Sequence, residues 1–181
     1  GCEKLKAIPE GLFQYATKAK KFANCFRYTA SVSQIPENLF AASPLAEEFY
    51  YTFYGTGSNF EITNESLAIN AGNYLASYPA SLEESIAEGK LRSIPEGLFA
   101  NNPNAARFEY VFGATAITSI PEKIFAHNSA ATNYEGVCYA CMNLASIPAK
   151  LMEKATSATN IKYMFAGCTS LTEIPVAMFE N

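Results

Sequence analysis

Five cysteines, one histidine and two pairs of adjacent glutamates are the residues here whose types suit chemistry. Cys138 and Cys141 have the two-residue spacing of redox and zinc motifs. No second Cys or His pair completes a metal site, and buried free thiols are the expected state. Where two thiols do bond, Cys141 and Cys168 are the pair expected to approach. The lone His127 lies in an Asn- and Ser-rich stretch that reads as an exposed loop. Glu47-Glu48 and Glu83-Glu84 are sequence neighbours, so on a helix they diverge, and neither pair converges as an acid/base dyad must. No nucleophile elbow, phosphate-binding glycine loop or Ca²⁺ loop occurs. The expectation is a protein that is not an enzyme, with no cofactor and no metal.

Composition narrows the class further. An apolar fraction of 49% with 17% charged residues suits a packed chain, not a disordered one. A net charge of -4 offers no electrostatic footprint for nucleic acid. No apolar run reaches the roughly 18 residues of a membrane span, and the amino terminus shows no charged-then-apolar leader. An exported form would have lost its signal before Gly1.

What positions these residues is a tandem repeat. Ile-Pro occurs at Ile8, Ile35, Ile94, Ile120, Ile147 and Ile174, in steps of 27, 59, 26, 27 and 27 residues. An apolar pair follows at four and five residues, as in Leu39-Phe40 and Leu98-Phe99. Then come a small residue and two bulky ones at further offsets of three and seven. Ala46, Phe49 and Phe53 are one such set, and Ala105, Phe108 and Phe112 another. That spacing matches one face of an α-helix, and Gly55, Gly113 and Gly167 fall where a helix C-cap wants positive φ. The Leu-x-x-Ile before each Pro is biased to extended backbone, and the Pro suits the first position of a helical turn. The expected fold is an α/β repeat solenoid of leucine-rich-repeat type, with a short strand and two helical segments per unit of about 27 residues. It forms a single domain over residues 1–181, because a lone unit cannot bury both apolar faces. The long step reads as two units, one starting near Ile62, with roughly five extra residues around 70–78. Neither end carries a polar capping unit, so the expectation is a piece of a longer array.

Within this frame Cys2, Cys141 and Cys168 share one repeat position with Thr29 and Thr56, the pattern of a small ladder site. Cys2 has a second reading, as a lipid-bearing residue after signal removal. Tyr51, Tyr110 and Tyr163 share the position two residues after the first bulky core residue. On a helix that register turns them about 160° from the core face. They either form a partly exposed ligand-binding stripe or seal the gap between neighbouring units. The extended segments present Lys6, Ser33, Gln34, Arg92, Ser93, Thr118, Ser119, Thr172 and Glu173 as the lining of a polar groove. With Arg92 as a further ligand contact, such a groove suits a long polymer or protein surface better than a small molecule.

The stretch Phe165-Ala166-Gly167-Cys168-Thr169-Ser170-Leu171-Thr172-Glu173-Ile174-Pro175, with Ile94-Pro95-Glu96-Gly97-Leu98-Phe99, resembles the leucine-rich-like repeats of BspA-like surface proteins of Bacteroides-type bacteria. It is also similar to related repeats of mycoplasma surface proteins. The resemblance spans nearly the whole chain and weakens only across the third unit. It implies a bacterial cell-surface or extracellular adhesion module that recognises host protein or glycan. No catalytic residues belong to that family's pattern. The chain departs from a standard leucine-rich repeat in its few leucines and in having only two residues between Leu and Ile. That leaves a more helical solenoid open beside one with a long regular sheet. The alternative function is a spacer or stalk with no ligand of its own. The chain itself is expected not to insert in a membrane, though a lipid anchor is compatible with it.

Overall fold

A computed structural model describes residues 2, 4–58 and 80–180. Ile62 and the 70–78 insertion lie outside the described residues.

Each coil begins with an extended segment, Leu-x-x-Ile or the same with Val32 or Ile117 in place of the Leu, and then bends at the Pro. The N–H of Leu12, Leu39, Leu98, Ile124, Leu151 and Met178 donates to the carbonyl of the Pro three residues earlier, at 3.1–3.3 Å. Proline's fixed φ favours that bend. The expected helix at this point is a single turn in most coils; only Val176–Phe179 extends it to a 3-10 helix.

The bulky pairs that read as helical are not on a helix, and the two-helix unit is corrected here. Phe49, Tyr51, Phe53 and Gly55 donate their N–H groups to Arg107, Glu109, Val111 and Gly113 of the next coil, at 2.8–3.0 Å. The alternate residues Thr52, Tyr54 and Thr56 close turns on the carbonyl three residues back, at 2.9–3.3 Å. Every fourth residue takes positive φ: Asn24 and Tyr28, Tyr51 and Gly55, Tyr110 and Ala114, Gly136 and Ala140, Tyr163 and Gly167. Chained turns of four residues bring i and i+4 to one face, as a helix does. Hydrophobic spacing therefore cannot separate the two, whereas the hydrogen-bond partners do. The bridges Lys21–Glu48, Glu48–Arg107, Arg107–Asn133 and Asn133–Asn160 are all parallel and all lie on this wall. The regular pairing thus sits on the Phe-x-x-x-Phe segment, not on the extended segment where a strand was expected.

Among the described residues, coils 5–29, 32–56, 91–115, 117–141 and 144–168 stack in that order, followed by the start of another at 171–180. Glu48 bridges Arg107 directly, and Phe49 stacks on Phe108 at 5.7 Å. Among the described residues the coil of Ile35 therefore pairs directly with that of Ile94. The described chain resumes in α1, Ala80–Ala87. On this helix Ile86 is buried in an apolar layer with Tyr54, Tyr110 and Tyr139.

The interior is three columns of stacked rings. Phe13, Phe40, Phe99 and Phe125 form one, with centroids 5.8–6.3 Å apart and planes within 12°. Phe22, Phe49, Phe108 and Tyr134 form the second, at 5.7 Å, and Phe26, Phe53 and Phe112 the third, at 5.5–5.9 Å. The first and second columns interlock at tilted contacts of 4.8–5.1 Å. Such ring pairs add about 0.5–1.5 kcal/mol each beyond burial. Beside them runs a polar ladder at one repeat position. The amide of Asn102 donates to the carbonyls of Phe40 and Ser43, and that of Asn128 to those of Phe99 and Asn102, at 2.8–3.1 Å. Buried carbonyls of the turns thereby gain partners.

Candidate recognition surface

The cysteines are built into the stack. Thr29, Thr56 and Thr115 each donate a hydroxyl to a buried carbonyl, of Phe26, Phe26 and Phe112 respectively, at 2.6–2.7 Å. Cys141 and Cys168 occupy the same position, and their thiols donate to Phe112 and Cys138 carbonyls at 3.1 and 3.0 Å. Cys138 fills the place of a core Phe and is fully buried. All five thiols are free, with Cys2 and Cys25 exposed. Desolvation pushes the Cys138 thiol well up, helped by its hydrogen bond with Cys141 and by the neighbouring thiols. It pushes Cys168 up as well. Neutral buried thiols are poor nucleophiles. Among the described residues, no three His, Cys, Asp or Glu side chains are grouped to hold a metal ion. His127, Glu122, Lys123, Lys150 and Lys154 line a shallow depression on the Pro-turn edge.

The three tyrosines do share one wall, but they are not equally open. Tyr51 and Tyr110 stack face to face at 4.9 Å and 5°. Tyr110 is only 8% exposed, Tyr51 is half-buried and Tyr163 is 40% exposed. The ladder, not a helix, explains this. Tyr51 and Tyr110 leave the chain at positive φ and lie back over the neighbouring coil, Tyr51 against the Tyr110 ring and Tyr110 over Gly136. Tyr110 is also fixed at its edge, where its hydroxyl donates to Glu135 at 3.2 Å and Asn160 donates to the same carboxylate at 2.9 Å. Tyr54 and Tyr139 complete the layer by edge contacts with Tyr110 at 6.4 and 5.6 Å. Burial, reinforced by the neighbouring tyrosines, holds the Tyr54 hydroxyl well above the usual phenol range.

Sequence reasoning missed Arg27. Its guanidinium lies 4.8 Å over both Tyr28 and Tyr51, and 5.5 Å over Tyr54. It also donates to Asn24 and Tyr28 at 3.2 Å. Arginine-on-ring contacts of this kind bind one coil to the next. Arg92 is exposed and lies on the extended segment before Pro95, apart from the tyrosine wall.

On the face of the extended segments the structure forms a groove of about 450 Å³ across the first three coils. Lys6, Ser33, Gln34 and Ser93, all read from the sequence as groove residues, line it together with Glu10 and Glu37. The two glutamates were not foreseen. Their signal is the Glu that directly follows Ile-Pro at Glu10, Glu37, Glu96 and Glu122. Ile8, Ile35 and Ile94 also line the groove yet are only 5–7% exposed, so they meet it chiefly through main chain. Thr118, Ser119, Thr172 and Glu173 lie on later coils and are not part of it.

No protein-family model matches the chain, and no curated protein matches it. Among solved structures, the APL1 leucine-rich-repeat domain superposes on 87% of this chain with a TM-score of 0.52 at 13% identity. The match covers 30% of that domain's own chain. The leucine-rich-repeat domain of APL1B aligns over 57% of this chain and 35% of its own, at 14% identity and a TM-score of 0.33. The first likeness shows the fold, a solenoid of leucine-rich-repeat type.

Proposed function

We propose that this chain is a non-catalytic protein-interaction module of the leucine-rich-repeat type, working at a bacterial cell surface or outside the cell on a host protein or glycan. One observation supports recognition above all. In the groove Lys6, Glu10 and Glu37 converge with no ion pair among the described residues, while three basic side chains along the tyrosine wall are paired. Lys20 meets Glu47 at 2.7 Å, Lys21 meets Glu48 at 3.0 Å and Arg107 meets Glu109 at 2.7 Å. The testing experiment is a binding screen of the purified chain against arrayed extracellular proteins and glycans. A ligand whose binding falls on substitution of groove residues supports the reading. Silence from a folded protein across both ligand classes contradicts it.

The second reading, a spacer with no ligand, is favoured by the tyrosine wall. Tyr110 and Tyr51 seal the seam between coils instead of facing solvent. A spacer predicts that substituting groove residues changes no interaction of the parent protein.

A further inference from the structure

The groove opens where the stack is unzipped. On the two steps beyond it the extended segments are tied by one hydrogen bond each, while the last step, from Thr172 to Ala145, lacks it. Thr118 N–H donates to the Arg92 carbonyl at 3.1 Å, and Ala145 N–H to the Thr118 carbonyl at 3.2 Å. The corresponding bonds on the first three coils run from Ser33 to Lys6 and from Arg92 to Ser33. Neither forms. Among the described residues, this leaves the Ser33 N–H and the Lys6 and Ser33 carbonyls without chain partners along the groove. Lys6, Glu10 and Glu37 hold no ion pair among the described residues. The lining contains no aromatic ring, so the apolar face of a sugar finds no platform to stack on. Unpaired main-chain donors and acceptors with two carboxylates against one ammonium suit a different occupant.

We infer that this groove takes an extended peptide segment of a partner protein, one carrying basic side chains for Glu10 and Glu37. This rests on the recognition reading and deepens it. The peptide main chain exchanges hydrogen bonds with the Ser33 backbone and the polar side chains of Ser33, Gln34 and Ser93. Its basic residues meet the two carboxylates. Lys6 disfavours a second cation at its end, which sets a direction along the groove.

The test uses the whole chain and three fluorescein-labelled probes: an alternating Thr–Lys decapeptide, an alternating Thr–Glu decapeptide and a linear hexasaccharide. The Thr–Lys peptide is expected to bind at least about fivefold more tightly than the Thr–Glu peptide at low salt, the gap closing as salt rises. Glu10→Gln with Glu37→Gln should remove most of that preference, and Ser93→Trp should block binding by filling the groove. Amide shifts in the ¹⁵N-labelled protein should move at Ser33, Gln34 and Ser93. Equal affinity for the two peptides, indifference to the double substitution, or tighter binding of the hexasaccharide would overturn the inference. If the extracellular screen yields a partner that ignores Glu10→Gln/Glu37→Gln, the peptide inference fails while the recognition module stands. If it yields none, both fail.

Discussion

Asn24 distinguishes a turn ladder from a helix by the sign of a stability change. It is exposed and sits at φ 61°, and its N–H donates to the Tyr50 carbonyl at 3.1 Å, a bond that Ala and Gly both keep. Its side chain accepts one hydrogen bond from Arg27, which Asn24→Ala and Asn24→Gly both remove, so that loss cancels between the two. In the left-handed region a residue with a Cβ carries a strain of about 1–2 kcal/mol. Glycine avoids it but loses about 0.5–1 kcal/mol more chain entropy on folding. The ladder therefore makes the Gly variant more stable than the Ala variant by about 0.5–1 kcal/mol. In a helix interior the order reverses, Ala exceeding Gly by about 1 kcal/mol. The assay is urea unfolding at 25 °C. With a slope of about 2–3 kcal/mol/M, the ladder puts the Gly midpoint roughly 0.2–0.5 M above that of Ala. An Ala variant more stable than Gly by a similar margin would refute the ladder.

Five further outcomes follow from the packing. Gly136→Ala is expected to cost about 2–4 kcal/mol, since it adds left-handed strain to a clash. Its Cβ would lie 2.3 Å from the Tyr110 ring, and the urea midpoint checks it. Phe49→Ala removes a ring packed against four others, and should lose about 3–5 kcal/mol by the same assay. Cys141→Thr and Cys168→Thr should leave stability nearly unchanged, because Thr56 at the same position already makes that hydrogen bond to the preceding coil. Native thiol titration should find Cys2 readily, Cys25 more slowly because desolvation raises its thiol, and the other three only on unfolding. Tyr54, Tyr134, Cys138 and Cys168 all titrate above their ordinary range when folded, chiefly through burial. The folded state thus holds protons that the unfolded state releases, and stability is full below about pH 8 and falls as pH rises past about 8.5–10. A melting temperature flat from pH 8 to 11 would contradict that burial.

The repeat, its Ile-Pro turns and its core were legible from spacing alone. Ile94, Phe99, Phe108 and Phe112 are all buried as expected. The Cys/Thr position was legible because one small donor recurs there. The helices were misread because Phe22 and Phe26 are four residues apart in a helix and in chained four-residue turns alike. Asn24, Gly136 and the glycines at 55 and 167 held the distinguishing information, as residues tolerant of positive φ. The sequence left Tyr51 and Tyr110 open between an exposed stripe and a seal, because a helical register aims them away from the core whereas the ladder lays them over the next coil. Asn102 and Asn128 escaped notice as isolated polar residues. Their signal was the shared place eight residues after Ile94 and Ile120. The groove depends on which inter-coil bonds fail to form, and local sequence does not encode that.

Scalar couplings across hydrogen bonds, measured by NMR, test the ladder most directly. The ladder predicts couplings from the amide nitrogens of Phe49, Tyr51 and Phe53 to the carbonyl carbons of Arg107, Glu109 and Val111. Couplings from Phe49 to Leu45 and from Phe53 to Phe49, the partners of an α-helix, would contradict it.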